Sequence, residues 1–149
     1  MILFQQAVIA ALLVALTLCL QCAGVATIVQ WLKTGPMREV RNLPISRSAV
    51  LVMETTLAVV LLQGLVIFLW AGCFRWLCLD SWESAFYFSA GSYSTVGYGD
   101  VVLPSHWRLL GPLESMMGVL MCGISVSLLF ALINKLIVNE GHVQPGSAS

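Results

Sequence analysis

Three long apolar runs organise this chain, over residues 1–32, 49–79 and 107–138. Each is longer than the roughly 20 apolar residues that a helix needs to cross a bilayer. Charged residues interrupt the second run at Glu54 and Arg75 and the third run at Arg108, Glu114 and Lys135. The pattern therefore predicts three membrane-spanning helices.

The segment between the second and third runs, residues 80–106, is rich in serine, glycine and aromatic residues. Asp80 and Glu83 have the spacing of a capping box, so we predict a helix start here and a short helix over 82–93. Such a helix is too short to span a bilayer. Its exit leaves irregular backbone at membrane depth, which is tolerated only inside protein or beside water. The segment is thus predicted to be a re-entrant loop that lines a pore.

The composition agrees with a membrane protein. Hydrophobic residues make up 59% of the chain and charged residues only 9%, and the formal net charge is zero. Soluble domains average about 25% charged residues. We therefore exclude an ordinary soluble enzyme and expect no nucleic-acid partner and no catalysis. The five cysteines are scattered through apolar runs, which supports neither a zinc site nor a disulfide framework.

Basic residues concentrate in the connector at 33–48, which holds Lys33, Arg38, Arg41 and Arg47 against the single acidic residue Glu39. An excess of Lys and Arg in a short loop marks the cytoplasmic side. We therefore predict a multi-pass protein of the cell membrane with its N-terminus outside and its C-terminus in the cytoplasm. A cleaved signal peptide is the alternative for the first run, but its start lacks the basic residues of such a signal. The tail at 139–149 is predicted to be disordered.

The motif Thr95-Val96-Gly97-Tyr98-Gly99-Asp100 follows the predicted short helix. With these residues the chain resembles the potassium channel pore family, over roughly residues 50–138. The resemblance implies an outer helix at 49–79, a pore helix with its selectivity filter at 80–106, and an inner helix at 107–138. The first run is then an additional N-terminal helix, with Gly24 as a packing point. One chain supplies one loop, so a conducting pore requires a homotetramer.

The resemblance also assigns roles in the filter. The K+ ligands would be the carbonyls of Thr95, Val96, Gly97 and Tyr98, together with the Thr95 hydroxyl. Gly97 and Gly99 would allow the alternating backbone handedness that the filter needs. Asp100 would ring the outer mouth and attract cations. Tyr87 and Phe88 hold the positions of the aromatic cuff around the filter, with lipid-facing aromatics as the alternative reading. The chain departs from some bacterial members at Gly91, where they have a glutamate behind the filter.

In the inner helix, Gly118 and Gly123 are candidates for a gating hinge, and close helix packing is the alternative for each. Helical spacing places Gly118, Cys122, Ser125 and Leu129 near one face, which we predict to line the cavity. Glu114 is predicted to support the filter from behind, either directly or through a contact with Arg75. The alternative is a glutamate at the membrane interface that is solvated among the lipid headgroups.

We therefore expect an all-α membrane protein: three transmembrane helices, a re-entrant pore loop and a homotetrameric, K+-selective pore. Its partners are other copies of itself, the lipid bilayer and permeant K+ ions, with no cofactor and no soluble partner. The alternatives are a weakly selective or silent channel subunit, a membrane scaffold without a pore, and, less favoured, a potassium transporter subunit. No predicted helix carries the arginine repeat of a voltage sensor, and we expect no nucleotide- or calcium-binding domain in the eleven residues after Val138.

Overall fold

The computed structural model describes residues 2–35 and 45–141, and this part of the chain is helical without strands. The four helices are α1 (Ile2–Thr34), α2 (Ile45–Leu77), α3 (Trp82–Tyr93) and α4 (Leu110–Gly141). The predicted all-α fold class is confirmed.

The ends of the long helices differ from the prediction by a few residues. The second helix begins at Ile45 and ends at Leu77, whereas 49–79 was predicted, and α1 continues to Thr34. The inner helix begins at Leu110 because residues 105–109 form a turn, in which the Leu110 N–H donates to the Trp107 carbonyl at 3.0 Å. Most of the basic connector (36–44) and of the tail (142–149) lies outside the described residues.

Three of the helices are long and apolar enough to cross a membrane, over Phe4–Thr34, Ser46–Leu77 and Leu110–Val138. Only 17–33% of the most apolar window of each helix is buried inside the chain. Many large apolar side chains of these helices are exposed on a single chain, so they require a bilayer or further copies of the chain to cover them.

Helix α3 has the predicted bounds but a different cap. The side chain of Ser81 accepts a hydrogen bond from the Ser84 N–H at 3.0 Å, so Ser81 and not Asp80 is the N-cap residue. Both residue types satisfy a free N–H at a helix start, and Ser81 has the extended backbone (φ −128°, ψ 147°) that is typical of an N-cap residue. Trp82 then stacks on Phe68 of α2 with ring centroids 5.7 Å apart, which ties the start of α3 to its neighbour.

Two apolar clusters hold the helices together. The first surrounds Trp70 and Phe74 of α2 and joins all four helices in the half of the molecule that contains α3. The second lies in the opposite half and joins α1, α2 and α4 around Leu62 and Leu132. Helix α3 is therefore wedged between α2 and α4 at one end of a three-helix bundle.

Helix α1 packs on α2 and α4 of its own chain. A Cβ added at Gly24 would lie 2.4 Å from Cδ1 of Leu62, so the missing side chain lets the two helices approach closely. Nearby, the indole N–H of Trp70 donates to the hydroxyl of Thr17 at 2.9 Å, and both side chains are fully buried. The additional helix is thus an integral part of the fold.

The Thr17–Trp70 contact gives a stability prediction. Thr17→Val keeps the shape of the side chain but leaves a buried indole N–H without an acceptor, at a cost of about 1–3 kcal/mol. Thermal unfolding of the full chain in detergent should therefore occur at a lower temperature. Thr27→Val is the matched control, because Thr27 is exposed and bonds only within α1. In a Trp70→Phe background Thr17→Val should cost much less; an undiminished cost would show that the contact is not responsible.

Candidate functional site

The motif segment begins where α3 ends. Ser94 is the C-cap residue, and the next residue, Thr95, has a φ of +62°. The Thr95 N–H donates to the Ser92 carbonyl at 3.0 Å, as in the Schellman motif that closes many helices. Glycine usually holds this left-handed position, so a β-branched residue here is strained.

Left-handed backbone recurs at every second residue of the segment. Gly97 has a φ of +54° and Gly99 a φ of +79°, whereas Val96 and Tyr98 between them have no positive φ. The Gly97 N–H donates to the Gly91 carbonyl at 3.1 Å, which binds the segment to the last turn of α3. Sequence reasoning predicted the alternation at the two glycines and missed Thr95, because threonine carries no signal for it.

Helix α4 fixes the last turns of α3 at three successive levels. The Ser89 hydroxyl contacts the Glu114 carboxylate, and the Ser115 hydroxyl donates to the Ser92 carbonyl at 2.6 Å. At the third level a Cβ on Gly118 would lie 2.0 Å from the Tyr93 carbonyl oxygen. Gly118 therefore serves close packing, and α3 rests directly on its backbone.

Glu114 is fully buried, which excludes its reading as an interfacial glutamate in headgroup water. One carboxylate oxygen meets Ser89, and the other is buried without a hydrogen-bond partner. The predicted alternative, a contact between Glu114 and Arg75, is not observed, because Arg75 donates to the Leu79 carbonyl at 3.3 Å. The carboxylate thus supports α3 from behind.

Helix α2 holds α3 from the other side. The Ser89 hydroxyl also lies 2.9 Å from the Ile67 carbonyl, and the Tyr93 hydroxyl donates to Oε1 of Gln63 at 2.9 Å. Phe88 packs edge-on against Phe74, with ring centroids 5.1 Å apart. Phe88 therefore anchors α3 to α2, and within one chain its ring partner is Phe74.

At the far end of the segment, Tyr87 joins two predicted site residues. Its hydroxyl donates to Oδ2 of Asp100 at 3.0 Å, and its ring stacks on Tyr98 with centroids 6.1 Å apart. The bond to Asp100 raises the pKa of the Tyr87 phenol, because the protonated form makes it. A phenol is protonated at neutral pH even at its ordinary pKa of about 10, so Tyr87 is a hydrogen-bond donor there and ties Asp100 to α3.

An open cavity of about 140 Å³ lies between α3 and the segment, with Gly91, Ser92 and Gly97 in its lining. A Cβ added at Gly91 would meet no atom within 4 Å. The cavity therefore has room for a side chain at position 91, where this chain has a glycine.

The predicted cavity-lining residues do not share one environment. Cys122 is exposed and Leu129 is half-buried, but Ser125 is buried and accepts hydrogen bonds from Gln21 and Gln63. Ser125 therefore faces the interior of its own chain. Helical spacing placed these residues on one side of α4 without indicating what that side contacts. Gly123 is exposed, with open space around it.

Four residues of the site were missed at the level of sequence: Gln63, Ser89, Tyr93 and Ser115. Gln63 had the clearest signal, because a polar side chain in the middle of an apolar run usually faces protein. The serines had none, since a serine in a helix often bonds only to its own backbone.

A family model described as ion channel matches residues 55–135, more than half of the 149-residue chain. The match runs from α2 through α3 into α4, so it contains every element that builds the site and leaves α1 outside. No curated protein and no solved structure matches the chain.

The contact at Gly118 predicts different effects for two substitutions in α4. Gly118→Ala should destabilise the chain, because its methyl group overlaps the Tyr93 carbonyl and must displace α3. Gly123→Ala should leave stability unchanged or raise it by up to about 1 kcal/mol, since alanine favours a helix and the space is open. Thermal unfolding of the two variants in detergent measures the difference; equal unfolding temperatures would contradict the tight contact.

Proposed function

The chain belongs to the ion channel family, and we propose that it conducts K+ passively across the membrane through a pore formed by four copies. The observation that carries the proposal is the Thr95–Gly99 segment, whose backbone is left-handed at every second residue directly after a short helix. Alternating handedness allows successive carbonyls to face the same side. A row of such carbonyls replaces the water around K+ without a fixed charge.

Within this proposal, the carbonyls of Thr95, Val96, Gly97 and Tyr98 and the hydroxyl of Thr95 are the K+ ligands. Asp100, held by Tyr87, concentrates cations at the outer mouth. Glu114 acts as a support of the filter through Ser89, not as an ion ligand, because it is buried within the chain.

The proposal of a tetramer is supported by the solvent exposure of the motif segment on a single chain. Every residue from Ser94 to Asp100 is exposed on a single chain, including Val96 at 53% and Tyr98 at 73%. One chain therefore cannot enclose an ion, whereas closed fourfold symmetry would surround it with four identical segments. In such a pore Gly123 is the remaining hinge candidate, and Cys122 and Leu129 are the candidates for the cavity lining.

A weakly selective or silent channel subunit is the second candidate. It is favoured by the open cavity at Gly91, because the segment has less material behind it there to fix its diameter. Flux of K+ and of Na+ into liposomes that contain only this protein separates the two candidates. High K+ flux with little Na+ flux supports the selective pore.

The filter assignment predicts that Gly97→Ala abolishes K+ flux while the tetramer still assembles. Alanine at a φ of +54° costs roughly 1 kcal/mol or more in each subunit, and four subunits share one filter. Gly72→Ala is the matched control, since Gly72 lies in α2 with nothing within 4 Å of an added Cβ. Liposome flux and mass measurement in mild detergent give the two readouts. Parental K+ flux and selectivity in Gly97→Ala would refute the assignment.

The proposed orientation has the N-terminus outside and the connector in the cytoplasm, and it predicts which positions a membrane-impermeant thiol reagent reaches from outside intact cells. A cysteine at Ser105 should be labelled, and a cysteine at Ser46 should not; both positions are exposed on the chain. The parental protein is the background control, because its five native cysteines are free thiols. Labelling of the cysteine at position 46, without labelling of the one at position 105, would show that the orientation is the opposite of the proposed one.

A further inference from the structure

Helix α1 carries three buried polar side chains, Gln6, Thr17 and Gln21. Each is bonded to another element: Gln6 to the His106 carbonyl, Thr17 to Trp70, and Gln21 to Ser125. Polar groups in a membrane span are costly unless protein satisfies them. Helix α1 therefore has one face whose polar side chains bond to other parts of the same chain. Gln30, on the same helix, is exposed.

The bond of Gln21 continues across the bundle. Its amide Nε2 donates to the Ser125 hydroxyl of α4 at 3.1 Å, and Nε2 of Gln63 in α2 donates to the same oxygen at 3.0 Å. Oε1 of Gln63 in turn accepts from the Tyr93 hydroxyl at 2.9 Å. Four side chains thus connect α1, α4, α2 and the last residue of α3.

Tyr93 is the end of this connection and also the last helical residue before the Thr95–Gly99 segment. Its carbonyl rests on Gly118, so its ring and its backbone are both fixed by other helices. Both contacts therefore act on the residue from which the backbone enters the segment.

Gln21 is not an obvious stabiliser of the fold. Its Oε1 is buried without a hydrogen-bond partner, and such an atom carries a desolvation cost. An apolar side chain of similar size would avoid that cost, and Ser125 would keep the bond from Gln63. The stability of the fold alone therefore does not account for a glutamine at this position.

We infer that α1 is a positioning element of the ion path, in which Gln21 acts through Ser125 and Gln63 to hold Tyr93 at the base of the filter. The inference rests on the proposed function of the Thr95–Gly99 segment as that filter. It gives the helix outside the family match a role in selectivity, and it distinguishes α1 from a membrane anchor.

The test compares Gln21→Leu with Gln30→Leu in the full chain, reconstituted in liposomes. Gln21→Leu should change the ratio of K+ to Na+ flux by about threefold or more, because coupling through such networks is of this order. Its unfolding temperature should stay equal to or above that of the parent. Gln30→Leu, with the same chemical change on an exposed face of α1, should leave both quantities as in the parent.

The connection from Gln21 to Tyr93 is tested with Ser125→Ala. This substitution removes the hydroxyl that accepts from both Gln21 and Gln63, and it changes the side chain less than Gln21→Leu does. Alone it should shift the flux ratio in the same direction as Gln21→Leu, and the double variant should resemble Ser125→Ala instead of adding the two effects. If Gln21→Leu does not fold, Gln21→Met takes its place, because Ser125→Ala also removes the bond from Gln63 and does not test α1 alone.

The outcomes separate the two levels of the proposal. If the parental protein conducts no K+, the proposed function is wrong and the inference falls with it. If the parent conducts K+ but Gln21→Leu and Ser125→Ala match Gln30→Leu in the flux ratio, only the inference is wrong. If Gln21→Leu lowers the unfolding temperature but leaves the ratio of K+ to Na+ flux unchanged, Gln21 has only a structural role and the inference is likewise wrong.

Discussion

Backbone that leaves a helix inside a membrane must find partners for its polar groups, and the architecture of this chain follows from that constraint. The last turn of α3 ends among hydrogen bonds to its own carbonyls, and the two flanking helices complete the support. Ser115 reaches the Ser92 carbonyl, while Gly118 leaves room for the Tyr93 carbonyl. A strained residue such as Thr95 persists because these contacts over-determine the backbone around it.

The same requirement explains the polar residues in the long helices. Gln63 and Glu114 interrupt apolar runs, and each faces another helix of the chain. Dispersion and close approach do most of the packing in a membrane, because lipid is as apolar as the side chains. Polar contacts then fix rotation and register, which apolar packing alone leaves loosely defined.

Features with a local cause could be predicted from the sequence. The bounds of α3 depend on a nearby cap and on a motif that cannot remain helical, and they are found as predicted. The ends of the long helices depend on no such signal, because apolar residues continue past them, and Ile45 and Leu110 were missed by a few residues. Contacts between distant segments were not predictable: spacing grouped Ser125 with Cys122, but only the position of Gln21 and Gln63 shows that Ser125 faces inward.

The sequence separation of these contacts has a consequence for biogenesis. Gln21 bonds to Ser125, 104 residues further along the chain, whereas Thr17 bonds to Trp70, which is 53 residues away. At a synthesis rate of about 5–20 residues per second, α1 waits roughly 5–20 seconds for its last partner. During that interval it is a hydrophobic helix with an unsatisfied amide, which favours early pairing with α2 and delays the final arrangement until α4 is inserted. The order of translation thus sets the order in which the bundle closes.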